Sequence, residues 1–203
     1  MYTEDRNLHF FREISRIPRK SFHEKAVVDY IQHFAEERGL RFQRDTLHNL
    51  ILWAPATPGR EGEAPLMLQA HTDMVCAKEP WSTHDFLQDP IELVEENGWL
   101  HANGTTLGAD DGAGVANILA ILDEPELSHP PLECVFTVQE EDGMGGAILR
   151  QGARRQEVGP VPAPLLIGAG ALLGFTMLAV AIGRSEGVGL TQLPAAKAVA
   201  RLE

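Results

Sequence analysis

The sequence predicts an α/β layered domain over residues 1–147, followed by a Gly/Ala-rich tail, residues 148–203, of different character. Three observations predict it. Helical and extended periodicities alternate along the front of the chain. Two short apolar runs, residues 65–70 and 132–138, read as buried strands. Three acidic signatures stand where these strands end or a helix begins: His71-Thr72-Asp73, Ala109-Asp110-Asp111-Gly112 and Glu140-Glu141-Asp142-Gly143.

Residues 4–17 place Leu8, Phe11, Ile14 and Ile17 at helical spacing, and Pro18 stops the run. Ser21 and Glu24 have the spacing of a capping box. It opens a helix with Val27, Val28, Ile31, Phe34 and Ala35 on one face and Gly39 as its stop. Strands are expected over 40–45 and 49–54, and the Pro/Gly-rich stretch 55–65 is a loop. The strand at 65–70 delivers His71 and Asp73 at its carboxyl end. Residues 91–95 and 98–102 form a hairpin turning at Asn97-Gly98, because both turn positions need a left-handed backbone. A helix over 112–123 turns Ala116, Leu119, Ala120 and Leu122 inward. The strand at 132–138 then delivers Glu140 and Glu141.

Charge divides the chain at the same boundary. The formal charge is -12; residues 1–147 hold 26 of 29 acids and 11 of 17 bases, hence -15, and the remainder carries +3. An acidic front argues against nucleic acid as a partner and for a cytoplasmic protein. Two cysteines, Cys76 and Cys134, are too few for a disulfide framework, and Cys76 reads as a small buried apolar residue. Residues 1–20 are charged throughout, which does not suit a signal peptide.

Each acidic signature has a bland reading when taken alone. His71 fits a surface-loop histidine beside a capping aspartate. Asp110 and Asp111 fit acids complementing a helix dipole, and Glu140-Glu141 fits a solvated turn. Together they supply an imidazole and carboxylates from separate elements at one sheet edge, the donor set of a carboxylate-rich zinc site. In extended chain, residues i and i+2 share a face, so Asp73 can fix the His71 tautomer. Of the two glutamates, one suits metal ligation and the other proton transfer. The other histidines, His9, His23, His33, His48, His84, His101 and His129, have no ligand spacing.

The joint pattern resembles the zinc-dependent aminoacyl-histidine dipeptidases, the bacterial cytosol non-specific dipeptidases. The resemblance rests on residues 68–78, Asp89-Pro90-Ile91, residues 104–112, His129-Pro130-Pro131-Leu132-Glu133 and residues 136–144. Ile17-Pro18-Arg19-Lys20-Ser21 and Asn49-Leu50-Ile51 fit the family's opening, so the resemblance covers roughly residues 5–147. It implies a layered zinc-peptidase-like catalytic domain that hydrolyses dipeptides with two zinc ions. By the same resemblance His71 binds one zinc, Asp110 bridges both, and Glu141 binds the other. Glu140 is the general base, Asp73 orients His71, and the Asp110–Asp111 bond is cis. Members of the wider family deacylate amino acids, which is an alternative reading.

The family's remaining acidic ligand, distal histidine ligand and dimerisation region are not visible after residue 147, so a truncated, catalytically incomplete relative is expected. The tail has no histidine, and its acids are Glu157, Glu186 and Glu203. Residues 165–183 are uncharged and long enough for a membrane helix, so a membrane-tethered, non-catalytic metal- or partner-binding module is a further alternative. Arginines flank both sides of this segment and no Trp or Tyr accompanies it. A tail read in a shifted frame from about Ile148 is therefore expected ahead of the anchor.

Overall fold

The computed structural model describes residues 4–149 and 200–201. The expectations placed on 165–183 and on a shifted frame lie outside the described residues. Among the described residues no helix is long and apolar enough to cross a membrane.

Two helices open the chain, α1 (Glu4–Ser15) and α2 (Lys25–Glu37). Strands β1 (Arg41–Arg44), β2 (Leu50–Ala54) and β3 (Leu66–His71) follow. The hairpin β4 (Leu93–Glu96) and β5 (Trp99–Ala102) precedes α3 (Ala109–Asp123), β6 (Leu132–Thr137) and the two-residue β7 (Ala200–Arg201). One sheet has the order β1-β2-β6-β3, in which only β3 and β6 are parallel neighbours; a second has the order β4-β5-β7.

Register explains the core. Leu68 pairs with Cys134 and Cys134 with Leu52; Ala70 pairs with Phe136 and Phe136 with Leu50. Alternate residues share a face, so these rows make one apolar surface. Phe10, Phe11 and Ile14 of α1, Val27, Ile31 and Phe34 of α2, and Val115, Ile118 and Leu119 of α3 join it in one cluster. Phe10 and Phe34 meet edge to face at 5.5 Å between centroids. Because β3 and β6 run parallel, with His71 opposite Thr137, both carboxyl ends open at the same edge. That edge carries the candidate site.

Several sequence expectations need correction. The capping box does not form: α2 has no side-chain cap at Glu24. The Ser21 hydroxyl donates instead to Asp73, and Glu24 accepts the Gln139 amide. The strand expected at 65–70 is buried only in its second half, since Leu66 is 49% exposed and Met67 40% on an edge strand. In α3, Leu122 is only partly buried, while Val115, Ile118 and Ile121 supply burial the pattern did not assign. Cys76 is half-buried rather than buried. The predicted hairpin turn is present, with Asn97 at φ 54° and Gly98 at φ 75°, and Gly39 ends α2 at φ 63°.

Candidate metal centre

Three elements deliver the donors. His71 is the last residue of β3, and Thr72 extends the pairing by donating its amide to Thr137 O. Asp110 lies at the entry to α3, where Asp110 and Asp111 have non-helical backbone and the peptide between them is cis. Regular helix therefore starts at Gly112, the boundary expected from sequence. Glu140 and Glu141 follow β6 after a reversal at Gln139, which sits at φ 58°.

Donor atoms of His71, Asp110 and Glu141 all lie within 4.8 Å of one another. His71 Nε2 is 3.1 Å from Asp110 Oδ1 and 3.9 Å from Glu140 Oε2. On the other side of the ring, Nδ1 is 3.2 Å from the Asp73 carbonyl and 3.4 Å from Asp73 Oδ1. A carbonyl can only accept, so an Nδ1 proton faces Asp73, while Nε2 faces the carboxylates, where it carries a proton or holds a metal in the proton's place. The structure thus brings together the five sequence-selected residues: His71, Asp73, Asp110, Glu140 and Glu141.

Electrostatics describe a site short of positive charge. Burial opposes the charged form of His71, yet hydrogen bonds to Asp110 and Asp73 and the charge of Asp111 push its pKa up to about 10. Burial also pushes Asp111 up to about 6, with the Asp110 charge adding and His71 opposing. Glu141 is raised by burial and by the charges of Asp110, Glu140 and Asp73. Asp73 stays below the ordinary carboxylate range, because bonds from His71, Ser21 and the Glu140 and Glu141 amides outweigh burial. A proton on Nε2 is the cation this cluster gathers for itself. A divalent ion bound by Nε2 and two carboxylate oxygens meets the same need with more charge, so the donor set fits a metal.

Four residues that the sequence reading did not place among the site residues shape the site. Arg19 is fully buried; Nη1 donates to Thr72 O and Asp73 O, and Nη2 to Gly108 O. Burial lowers its pKa to about 10 against the charges of Asp73, Cys76 and Asp111. It ties the loop after β3 to the turn before α3. Gly108 is needed there, since a Cβ would lie 2.4 Å from Arg19 Nη2 and the backbone is left-handed. Asp111 accepts the Gly114 amide, as a helix N-cap does, and the His71 amide. Its bland reading as a helix-start acid therefore holds, while Asp110 faces the imidazole. Glu24 and Asn49 bond the turn after β6. Glu24 stood in a capping-box motif and Asp111 in an acidic signature, but the site bonds of Arg19, Glu24 and Asn49 reach across more than 40 positions to backbone groups, which no local motif marks.

The profile of Peptidase family M20/M25/M40 matches residues 67–183, more than half of the chain. The cytosol non-specific dipeptidase of Escherichia coli K12 is 44% identical over 142 residues, covering 70% of this chain and 29% of that protein. The aminoacylhistidine dipeptidase of Vibrio alginolyticus, a crystal structure, superposes with TM-score 0.70 at 44% identity, covering 72% of this chain and 30% of its own. The acetylornithine deacetylase of Proteus mirabilis is 28% identical over 131 residues, 61% of this chain and 31% of that protein. The chain thus spans about a third of the length of these relatives. With the family profile covering most of the site-bearing elements, this chain belongs to Peptidase family M20/M25/M40.

Proposed function

We propose that the chain carries part of a dipeptidase active site, in which His71, Asp110 and Glu141 would hold zinc, Asp110 serving as the ligand common to both ions. The observation that supports this most directly is the convergence of one imidazole and two carboxylates, from three elements, within 4.8 Å. Zinc, when bound, supplies a Lewis acid that polarises a peptide carbonyl and acidifies water. Asp73 holds the Nδ1 proton of His71 and so keeps Nε2 free as a donor. Glu140 Oε2 lies beside the donors on a side chain 28% exposed, reachable from solvent yet held near the reacting centre. It takes a proton from the attacking water and returns it to the departing amine nitrogen.

The substrate we propose is a dipeptide, aminoacyl-histidine among them, because the 44% identical relatives are named as dipeptidases. Cleavage of an acyl group from an amino acid is the second reading, favoured by the similarity to a deacetylase. The cytoplasm is the proposed location, in keeping with the cytosolic relative. The described residues bring three donors together, whereas zinc takes about four contacts per ion, so two tight ions are not expected of the described residues alone.

Calorimetric titration with zinc is expected to show weak binding that is lost in His71→Ala, without appreciable release of histidine from an aminoacyl-histidine dipeptide. If His71→Ala binds zinc as well as the unmodified chain, the assignment of the centre is wrong. Zinc-dependent turnover abolished by Glu140→Gln would place the missing donors elsewhere in the chain and overturn the incomplete reading.

A further inference from the structure

The turn that carries Glu140 and Glu141 has an unusual accounting of hydrogen bonds. Beyond Thr137 the chain leaves the sheet, so the amides of residues 138–141 lose their strand partners while still inside the protein. Each finds a side chain from another element. The Val138 amide donates to Asn49 Oδ1 at 3.1 Å, and Gln139 to Glu24 Oε1 at 2.8 Å. The Glu140 amide donates to Asp73 Oδ1 at 3.0 Å and Glu141 to Asp73 Oδ2 at 3.1 Å. Asn49 also closes the far side of the turn by donating to Gly146 O.

Glu24 is the informative member. It stands at the N-cap of α2, three residues after Ser21, yet neither side chain caps the helix. Both are diverted to the same turn: Ser21 through Asp73, and Glu24 directly. Glu24 is 4% exposed, and burial raises its pKa even though the amides of Glu24, Gln139 and Phe22 favour the anion. Burial thus opposes the charged carboxylate, and the amide bonds it accepts are what offset that opposition. Gln139, whose amide it accepts, is the left-handed residue that aims Glu140 and Glu141 back toward His71.

We propose that Glu24 is a positioning residue of the active site, fixing the Glu140–Glu141 turn through the Gln139 amide. The proposal rests on the reading of Glu140 and Glu141 given above. It makes the helix cap and the proton-transfer machinery competing uses of one side chain, resolved in favour of the site.

The substitution Glu24→Asp separates the two uses. Aspartate is among the preferred N-cap residues, but it is one methylene short of the Gln139 amide. The full chain carrying Glu24→Asp is expected to keep its folded circular dichroism, with a loss of thermal midpoint no larger than that of Val28→Ala. Its zinc affinity should fall by about tenfold or more, the scale of lost outer-shell support. Amide hydrogen exchange at residues 139–141 should rise by about tenfold while the amides of residues 132–137 stay protected. Glu24→Gln keeps one acceptor oxygen and should restore much of both. Val28→Ala, which loosens α2 from within the core, serves as the control that lowers stability with affinity unchanged.

Unchanged zinc affinity and unchanged exchange at 139–141 in Glu24→Asp would overturn the proposal. So would an equal loss of affinity in Val28→Ala. Should zinc affinity prove independent of His71, the metal reading fails by itself. The exchange measurement then still decides whether Glu24 holds the turn.

Discussion

Asp73 has no solvent exposure, and its two carboxylate oxygens serve the Ser21 hydroxyl, the Glu140 and Glu141 amides and the His71 ring. Most of its contribution is therefore made through groups that would be stranded without it. An orphaned buried donor costs about 1–3 kcal/mol, and three of these four lose their partner with this side chain, since the His71 ring keeps the Asp73 carbonyl. Asp73→Ala is expected to destabilise the fold by at least about 3 kcal/mol, read from urea denaturation. Asp73→Asn keeps one acceptor oxygen and should fall between it and the unmodified chain. A loss below about 1 kcal/mol for Asp73→Ala would mean that water reaches these donors. The i, i+2 spacing made the His71–Asp73 pairing legible in the sequence. The two amides were not legible, because a backbone group reached across the fold leaves no residue type to read.

At the scale of elements, periodicity carried the helices and strands, and local chemistry carried Asn97-Gly98, whose positive φ angles follow from the residues themselves. The capping box failed for the opposite reason: Ser21 and Glu24 have local partners available, and tertiary partners took them. Strand order was equally hidden, since pairing β6 between β2 and β3 is a long-range choice. Two tests belong here. A Cβ at Gly146 would lie 2.3 Å from Asn49 Oδ1 and 2.4 Å from the Val138 carbonyl. No side-chain rotation relieves the backbone clash, so Gly146→Ala should cost about 1–3 kcal/mol and loosen the turn after β6. The second test reads β6 itself. Cys134 is buried in the sheet, and burial pushes its thiol up to about 12, whereas Cys76 is half-buried. Iodoacetamide followed by mass spectrometry should label Cys76 in the folded protein and Cys134 only after unfolding. Prompt labelling of Cys134 would contradict a closed β2-β6-β3 core.

For the molecule as a whole, the site is a meeting point of otherwise separate pieces. His71 and Asp110 are 39 positions apart in sequence, and Glu141 comes from a third element. Residues 1–147 carry a formal charge of -15, and Glu141 is already raised by burial and by the neighbouring carboxylates. Among the described residues the His71 imidazolium opposes that shift at Glu141, while the Arg19 guanidinium is engaged with carbonyls behind the site. An ion bound only by the folded arrangement would join the end of β3, the start of α3 and the end of β6. Ligand binding restricted to the native state stabilises it by about 2.7 kcal/mol when the free ligand is 100 times its Kd. At that concentration zinc is therefore expected to raise the thermal midpoint by roughly 5–11 °C, since each 1 kcal/mol shifts a domain of roughly 150–250 residues by about 2–4 °C, and a chelator should reverse the shift. In His71→Ala the midpoint should be the same with and without zinc, because the remaining carboxylates lack the buried nitrogen donor that orients the ion. A zinc-induced rise of equal size in His71→Ala would mean that the ion is stabilising the acidic surface at large, and the convergence of these three elements would then have no part in it.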